Sequence, residues 1–215
     1  MKNGRARFLW AVLGLLAAAG GSPVSAAGAR EKIAMPSQKA FQLQLSFRDL
    51  WISHLFWVRS AVQEERDADI EAAKVSEARV IQNARNIADA FSPWYGADVA
   101  DKLFGLLAGR DTALKDYGEA TFRKDAEAQR AAAGALSAYA RDLAALLSSS
   151  NPGWHKNALE KMFVSQAGQQ QKQITDFFAA DFTAEAEAWT TMKEDAYYLA
   201  DMLALGIVRQ FPSKF

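Results

Sequence analysis

The chain has 215 residues, with 25 Lys and Arg against 25 Asp and Glu, and half of it is hydrophobic. Without Cys it can form no disulfide, thiolate metal site or Cys nucleophile, and with only His54 and His155 it cannot build a His-rich metal centre alone. The length suffices for one large domain or two small ones with a full core.

The first stretch has the make-up of an export signal. Lys2, Arg5 and Arg7 precede an apolar run over residues 8–19, and Val24-Ser25-Ala26 fits the small-x-small cleavage rule. The run is shorter than the roughly 20 apolar residues of a comfortable membrane span. Residues 1–26 are therefore expected to be a signal peptide, an uncleaved anchor being the alternative. Cleavage would leave a periplasmic or secreted chain with no stable membrane span. It would remove three basic residues and leave 22 against 25 acidic ones, a formal charge of −3. That balance gives no reason to expect a nucleic-acid partner. Residues 27–40 are small and polar, with Pro36, and read as a flexible linker. Residues 41–215 read as a single domain.

The first predicted helix covers residues 41–63. Phe47, Leu50, Trp51, His54, Leu55, Val58 and Val62 recur on one face of it, with His54 in the middle. Glu64-Glu65-Arg66-Asp67 reads as a solvated connection, with Asp67 as the next N-cap. The second helix covers residues 68–91, with Ile70, Ala73, Ile81, Ala84, Ala88 and Phe91 as its buried side and Gln82, Asn83 and Asn86 near the edge. Ser92-Pro93 stops it, because Pro lacks the amide donor, and Trp94-Tyr95-Gly96 makes an aromatic turn.

The third helix covers residues 97–117, with Val99, Leu103, Leu106, Leu107, Ala113, Leu114 and Tyr117 on its face and Gly118 as its stop. The fourth covers residues 120–147, with Phe122, Leu136, Tyr139, Leu143, Leu146 and Leu147. Ser148 to Gly153 forms a clear loop. A break near residues 180–183, with Asp181 or Thr183 as N-cap, divides the remainder into a fifth helix over 156–179 and a sixth over 184–208. No stretch alternates with period two, so no strand is predicted. The expected fold is all-α: an antiparallel up-and-down bundle of five to six helices, with roughly 70% or more of its residues helical.

Four stretches carry a resemblance: LWISHLFWVR at 50–59, QNARNIADAFSPWYG at 82–96, SNPGW at 150–154 and LADMLALGIVRQFPSKF at 199–215. They resemble a family of small, secreted, uncharacterised bacterial helical proteins. The resemblance implies an all-helical secreted domain and no particular activity. Some relatives are labelled glycosyltransferases, but this chain has neither alternating strands and helices nor a nucleotide-binding loop. The relatives are richer in His. The equivalent places here hold Arg110, Gln166, Lys193 and Asp195, and only His54 is kept.

Four of the six predicted faces carry a polar residue at their centre: His54, Arg110, Gln166 and Asp195, with Gln170 and Gln173 beside Gln166. Left unpaired, each such group costs on the order of 1–3 kcal/mol when buried. Arg110 either pairs inside or reaches out along its methylene stem, and the glutamine run is either inward or solvated. Convergence is the economical resolution, with Arg110 pairing Asp195 and His54 and Gln166 completing the hydrogen bonds. No catalytic triad, H-E-x-x-H or Glu-x-x-His pattern is present, so no catalytic residue, metal ligand or cofactor is assigned. The expected function is an exported bundle that binds a small polar or anionic ligand between its helices, through His54, Arg110, Gln166, Gln170 and Asp195. The alternative is a structural or protein-interaction module whose polar groups only satisfy one another. A metal-binding protein or an enzyme ranks behind both.

Overall fold

The computed structural model describes residues 35–215, which fall within one folded unit. The expected signal peptide, and the linker up to residue 34, lie outside the described residues. Of the described residues 88% are helical and none is in a strand. Helix α1 spans Gln38–Arg66, α2 Ile70–Asp89, α3 Ser92–Tyr95, α4 Ala97–Arg123, α5 Ala126–Ser150, α6 Lys156–Phe178 and α7 Phe182–Gln210. A 3-10 turn follows at Pro212–Lys214. The six long helices are the six expected from periodicity, and α3 is the aromatic turn.

Short connections make successive long helices antiparallel neighbours. Packing runs α1 on α2, α2 on α4, α4 on α5, α5 on α6, α6 on α7, and α7 back onto α1, so the helices form a closed ring. α4 and α6 also meet across it. Acidic or hydroxyl N-caps start four of the helices. Ser37, Asp69, Asp125 and Asp181 each accept a hydrogen bond from the first turn they open.

Several boundaries differ from the sequence reading. Residues 38–40 are not linker, because Ser37 caps α1 and Ala40 is fully buried. Glu64-Glu65-Arg66 is the last turn of α1, and Asp67 is its C-cap, while Asp69 caps α2. α4 passes through Gly118 and ends at Arg123, where Lys124 turns left-handed at φ 57°. Phe122 is exposed and meets only the edge of the fold, its ring 5.8 Å from that of Phe178. On α2, Ile70 and Ile81 face outward, while Ala73, Ser76, Val80, Asn83, Ala84, Ile87 and Ala88 are buried. The small residues of that face allow close approach to its neighbours.

The interior consists of two apolar clusters. One is built on Phe47, Trp51, Leu103, Leu107, Leu199 and Leu203, the other on Val58, Val80, Leu114, Leu136 and Ile174. Each fully buried Leu or Phe contributes roughly 1.5–3 kcal/mol relative to exposure. Along α1 the change of cluster falls between Trp51 and Val58, where His54 sits. Along α4 it falls between Leu107 and Ala113, where Arg110 and Asp111 sit. A polar layer therefore divides the core.

One pole is aromatic. Trp94 stacks on Phe215 with ring centroids 5.2 Å apart, and Tyr95 lies 5.6 Å from Trp154 and 5.8 Å from Phe211. The Tyr95 hydroxyl donates to Gln210 at 2.9 Å and accepts from Asn151 at 3.0 Å. Burial pushes that phenol up to about 12, against the pull of the Asn151 amide, so it remains a donor. The segments SPWYG, SNPGW and FPSKF, far apart in sequence, thus meet at one end of the bundle.

Candidate functional site

The polar layer is centred on Asp111. His54 Nε2 lies 3.1 Å from Asp111 Oδ1, and Arg110 Nη1 donates to the same oxygen at 3.1 Å. With Asp111 as acceptor, His54 carries its proton on Nε2. Arg110 Nη1 also lies 3.4 Å from that nitrogen, and Arg110 Nη2 donates to Gln170 Oε1. All four residues are buried: His54 at 1% exposure, Gln170 at 1%, Arg110 at 6% and Asp111 at 7%. Burial pushes the Arg110 guanidinium below its ordinary value, and the charge and hydrogen bond of Asp111 pull back. Arg110 remains a cation and neutralises Asp111.

The cluster is not fully satisfied. His54 Nδ1, Asp111 Oδ2 and Gln170 Nε2 are buried without a hydrogen-bond partner, and so are Trp51 Nε1 and Gln169 Oε1. Most buried polar atoms in folded proteins have a partner. So many orphans in and beside one layer mark it as a place with hydrogen-bonding capacity to spare.

The expected convergence occurs in part. His54 and Arg110 touch, and Gln170 joins them. The acidic partner of Arg110 is its neighbour Asp111 and not Asp195, whose carboxylate accepts from Gln169 Nε2 at 2.9 Å. Gln166 is half-buried and makes no side-chain hydrogen bond among the described residues. Gln173 is inward, but it donates at 2.7 Å to Glu185.

Two further ion pairs tie α1 to α7. Arg59 grips Glu185 in a fork, Nε at 2.7 Å and Nη2 at 2.8 Å, and its guanidinium lies 5.3 Å from the Trp189 ring and 5.5 Å from the Phe177 ring. Arg48 grips Asp201 with both bonds at 2.6 Å. Such two-point pairs are among the stronger charge-assisted bonds. Burial pushes the Glu185 carboxyl up, but the bonds from Arg59 and Gln173 more than reverse this and hold it below its ordinary value.

A cleft of about 210 Å³ opens between α1, α2 and α4. Val58, Ala61, Val62, Val80, Ile81 and Leu114 give it an apolar wall, and Glu65, Glu77, Asp111, Thr112 and Lys115 give it polar ones. It is larger than the roughly 150 Å³ cavity that takes up a benzene molecule. Asp111 belongs both to this wall and to the buried layer behind it. None of His54, Arg110, Gln166, Gln170 and Asp195 lines the cleft.

Sequence reasoning missed Asp111, Glu65 and Glu185. Asp111 follows Leu107 by four places and precedes Leu114 by three, but it falls at the edge of the buried stripe while Arg110 lies nearer its centre, so the pattern points to the arginine first. Glu65 was hidden in a charge run that reads as solvent-facing. Among the described residues no group of three or more His, Asp or Glu side chains could hold a metal ion, and no helix is long and apolar enough to cross a membrane. Comparison with known proteins finds no matching family model, no matching curated protein and no matching solved structure.

Proposed function

We propose that this protein is an exported helical-bundle binding protein, holding a small, largely apolar ligand in the cleft between α1, α2 and α4 with a hydrogen-bonding group toward Asp111. The carrying observation is Asp111 itself. It stands in the wall of a 210 Å³ cleft with one oxygen engaged by Arg110 and His54 and the other unpartnered. The second reading, a structural module, draws on the mutual bonds of His54, Arg110, Asp111 and Gln170. The orphaned atoms of those same residues weigh against it, since a purely structural network gains nothing by leaving buried groups unpaired. An anionic ligand is disfavoured, because Arg110, the one buried Arg or Lys among the described residues, is already neutralised by Asp111.

Export rests on the basic start, the apolar run and the Val24-Ser25-Ala26 site. N-terminal sequencing of the secreted or periplasmic fraction should give a chain beginning near residue 27, and a chain still carrying Met1 would overturn that part. Native mass spectrometry of the protein recovered from its own host tests binding. A small non-covalent adduct on the wild type, absent from an Ala61→Phe variant that fills the cleft, is the expected result. A bare wild-type protein would overturn the proposal.

A further inference from the structure

We infer that the cleft selects an organic cation: a small amphiphilic amine whose apolar body lies against Val58, Val80 and Leu114 and whose ammonium is held by Glu65. The inference rests on the binding reading above and specifies its ligand.

The charges around the cleft do not balance. Glu77 and Lys115 pair with each other at 2.7 Å, and Asp111 is matched by Arg110 behind it. Glu119, close by on α4, is paired with Arg123 at 3.1 Å. Glu65 alone among these carboxylates has no ion pair among the described residues, although it is half-buried in the cleft wall. Burial first, then the charge of Glu119, push its carboxyl above the ordinary value. Glu77 adds to this, while Lys115 and Arg123 pull back without reversing it. The free protein therefore holds a carboxylate at a cost that a bound cation would relieve.

The rest of the cleft fits the rest of such a molecule. Its wall is mainly aliphatic, so a strongly hydrated inorganic cation would lose its water for little return. Asp111, also in the wall, has its Oδ2 unpartnered, an acceptor and not a donor. An ammonium has only donors and matches both carboxylates. A ligand carboxylate or phosphate would meet like charge at each of them.

Three probes of similar size and different charge test this: benzylamine, benzyl alcohol and benzoate, each titrated into the full chain by calorimetry near neutral pH. Benzylamine is expected to bind about tenfold or more tighter than benzyl alcohol, and benzoate weaker than both. Glu65→Gln should bring benzylamine down to the level of benzyl alcohol, while Glu71→Gln on the outer face of α2 should leave the preference intact. Equal affinity for the three probes, or a preference that survives Glu65→Gln, would overturn the amine inference and leave the cleft as a binding site. Failure of all three to bind would overturn both.

Discussion

The indole of Trp154 occupies the space that a side chain at Gly206 would need. A Cβ at that position would lie 2.7 Å from Cε2 and 2.8 Å from Cδ1 of the ring. Trp154 is 2% exposed and sits at the aromatic pole, so it has nowhere to retreat. Gly206→Ala should destabilise the fold by about 1–3 kcal/mol, as overpacked cores do. Adding Trp154→Phe to it should recover part of the loss. Urea midpoints of the wild type and the two variants measure this, and an alanine at 206 without cost would refute the close packing.

Arg110 and Asp111 should behave as a unit. Removing either strands a buried charge, and each single alanine variant should cost about 3–5 kcal/mol. The double variant should cost clearly less than the sum. Arg110→Ala combined with Asp195→Ala should instead be close to additive, because those two residues answer to different partners. Denaturant melts of the five variants decide between the two pairings.

The helix count and the all-α class were legible because six long segments keep one period between breaks marked by Pro, Gly or charged residues. The facing of α2 was legible in part, through Ala73, Ala84, Ala88 and Phe91. Its isoleucines at 70 and 81 are outward, and a stripe of Ala73, Ser76, Ala84 and Ala88 turns inward because small residues permit close helix packing. Hydrophobicity alone misplaces the two isoleucines there. That some of the central polar residues converge was readable, but their partners were not. An Arg-Asp step reads as one residue in and one out, and only the coordinates place both at the boundary of two apolar clusters.

Acid stability should be set in part by Glu185. Its carboxyl is held below the ordinary value in the folded state, so its contribution is full above that value and is lost as pH falls through the folded one. Arg59→Met should lower stability near neutrality by about 1–3 kcal/mol and flatten the acid limb. Glu65 has the opposite sign. Its raised value means that it favours the fold at low pH and ceases to as pH rises through that value. Glu65→Gln should therefore raise the melting temperature of the free protein near neutral pH and lose this advantage in acid. Melting curves across the acid range that show the same pH slope in all three proteins would contradict both assignments.

Among the described residues, three helix ends use a left-handed residue that is not glycine: Ala68 at φ 58°, Lys124 at φ 57° and Ala180 at φ 59°. An L-residue pays a steric penalty there that glycine avoids. Ala68→Gly and Ala180→Gly should each raise stability by about 0.5–1 kcal/mol, an increment visible in thermal melts. A loss of stability in both would show that these ends are not strained.

The two arginine forks between α1 and α7 join residues 153 and 126 places apart in the chain, whereas most other neighbours in the ring follow one another directly. Local helix hairpins close quickly, and distant pairings carry the larger entropy of loop closure. The seam between first and last helix is then the final one to shut during folding and the first to open. Its forks act as a latch on a closed ring, holding back escape from the native state without hastening its formation. Arg48→Met and Arg59→Met should accelerate unfolding in stopped-flow experiments and leave the refolding arm nearly unmoved. Equal effects on both arms would place the seam inside the folding nucleus. The lifetime of the folded state would then depend on two arginines that lie outside the cleft between α1, α2 and α4.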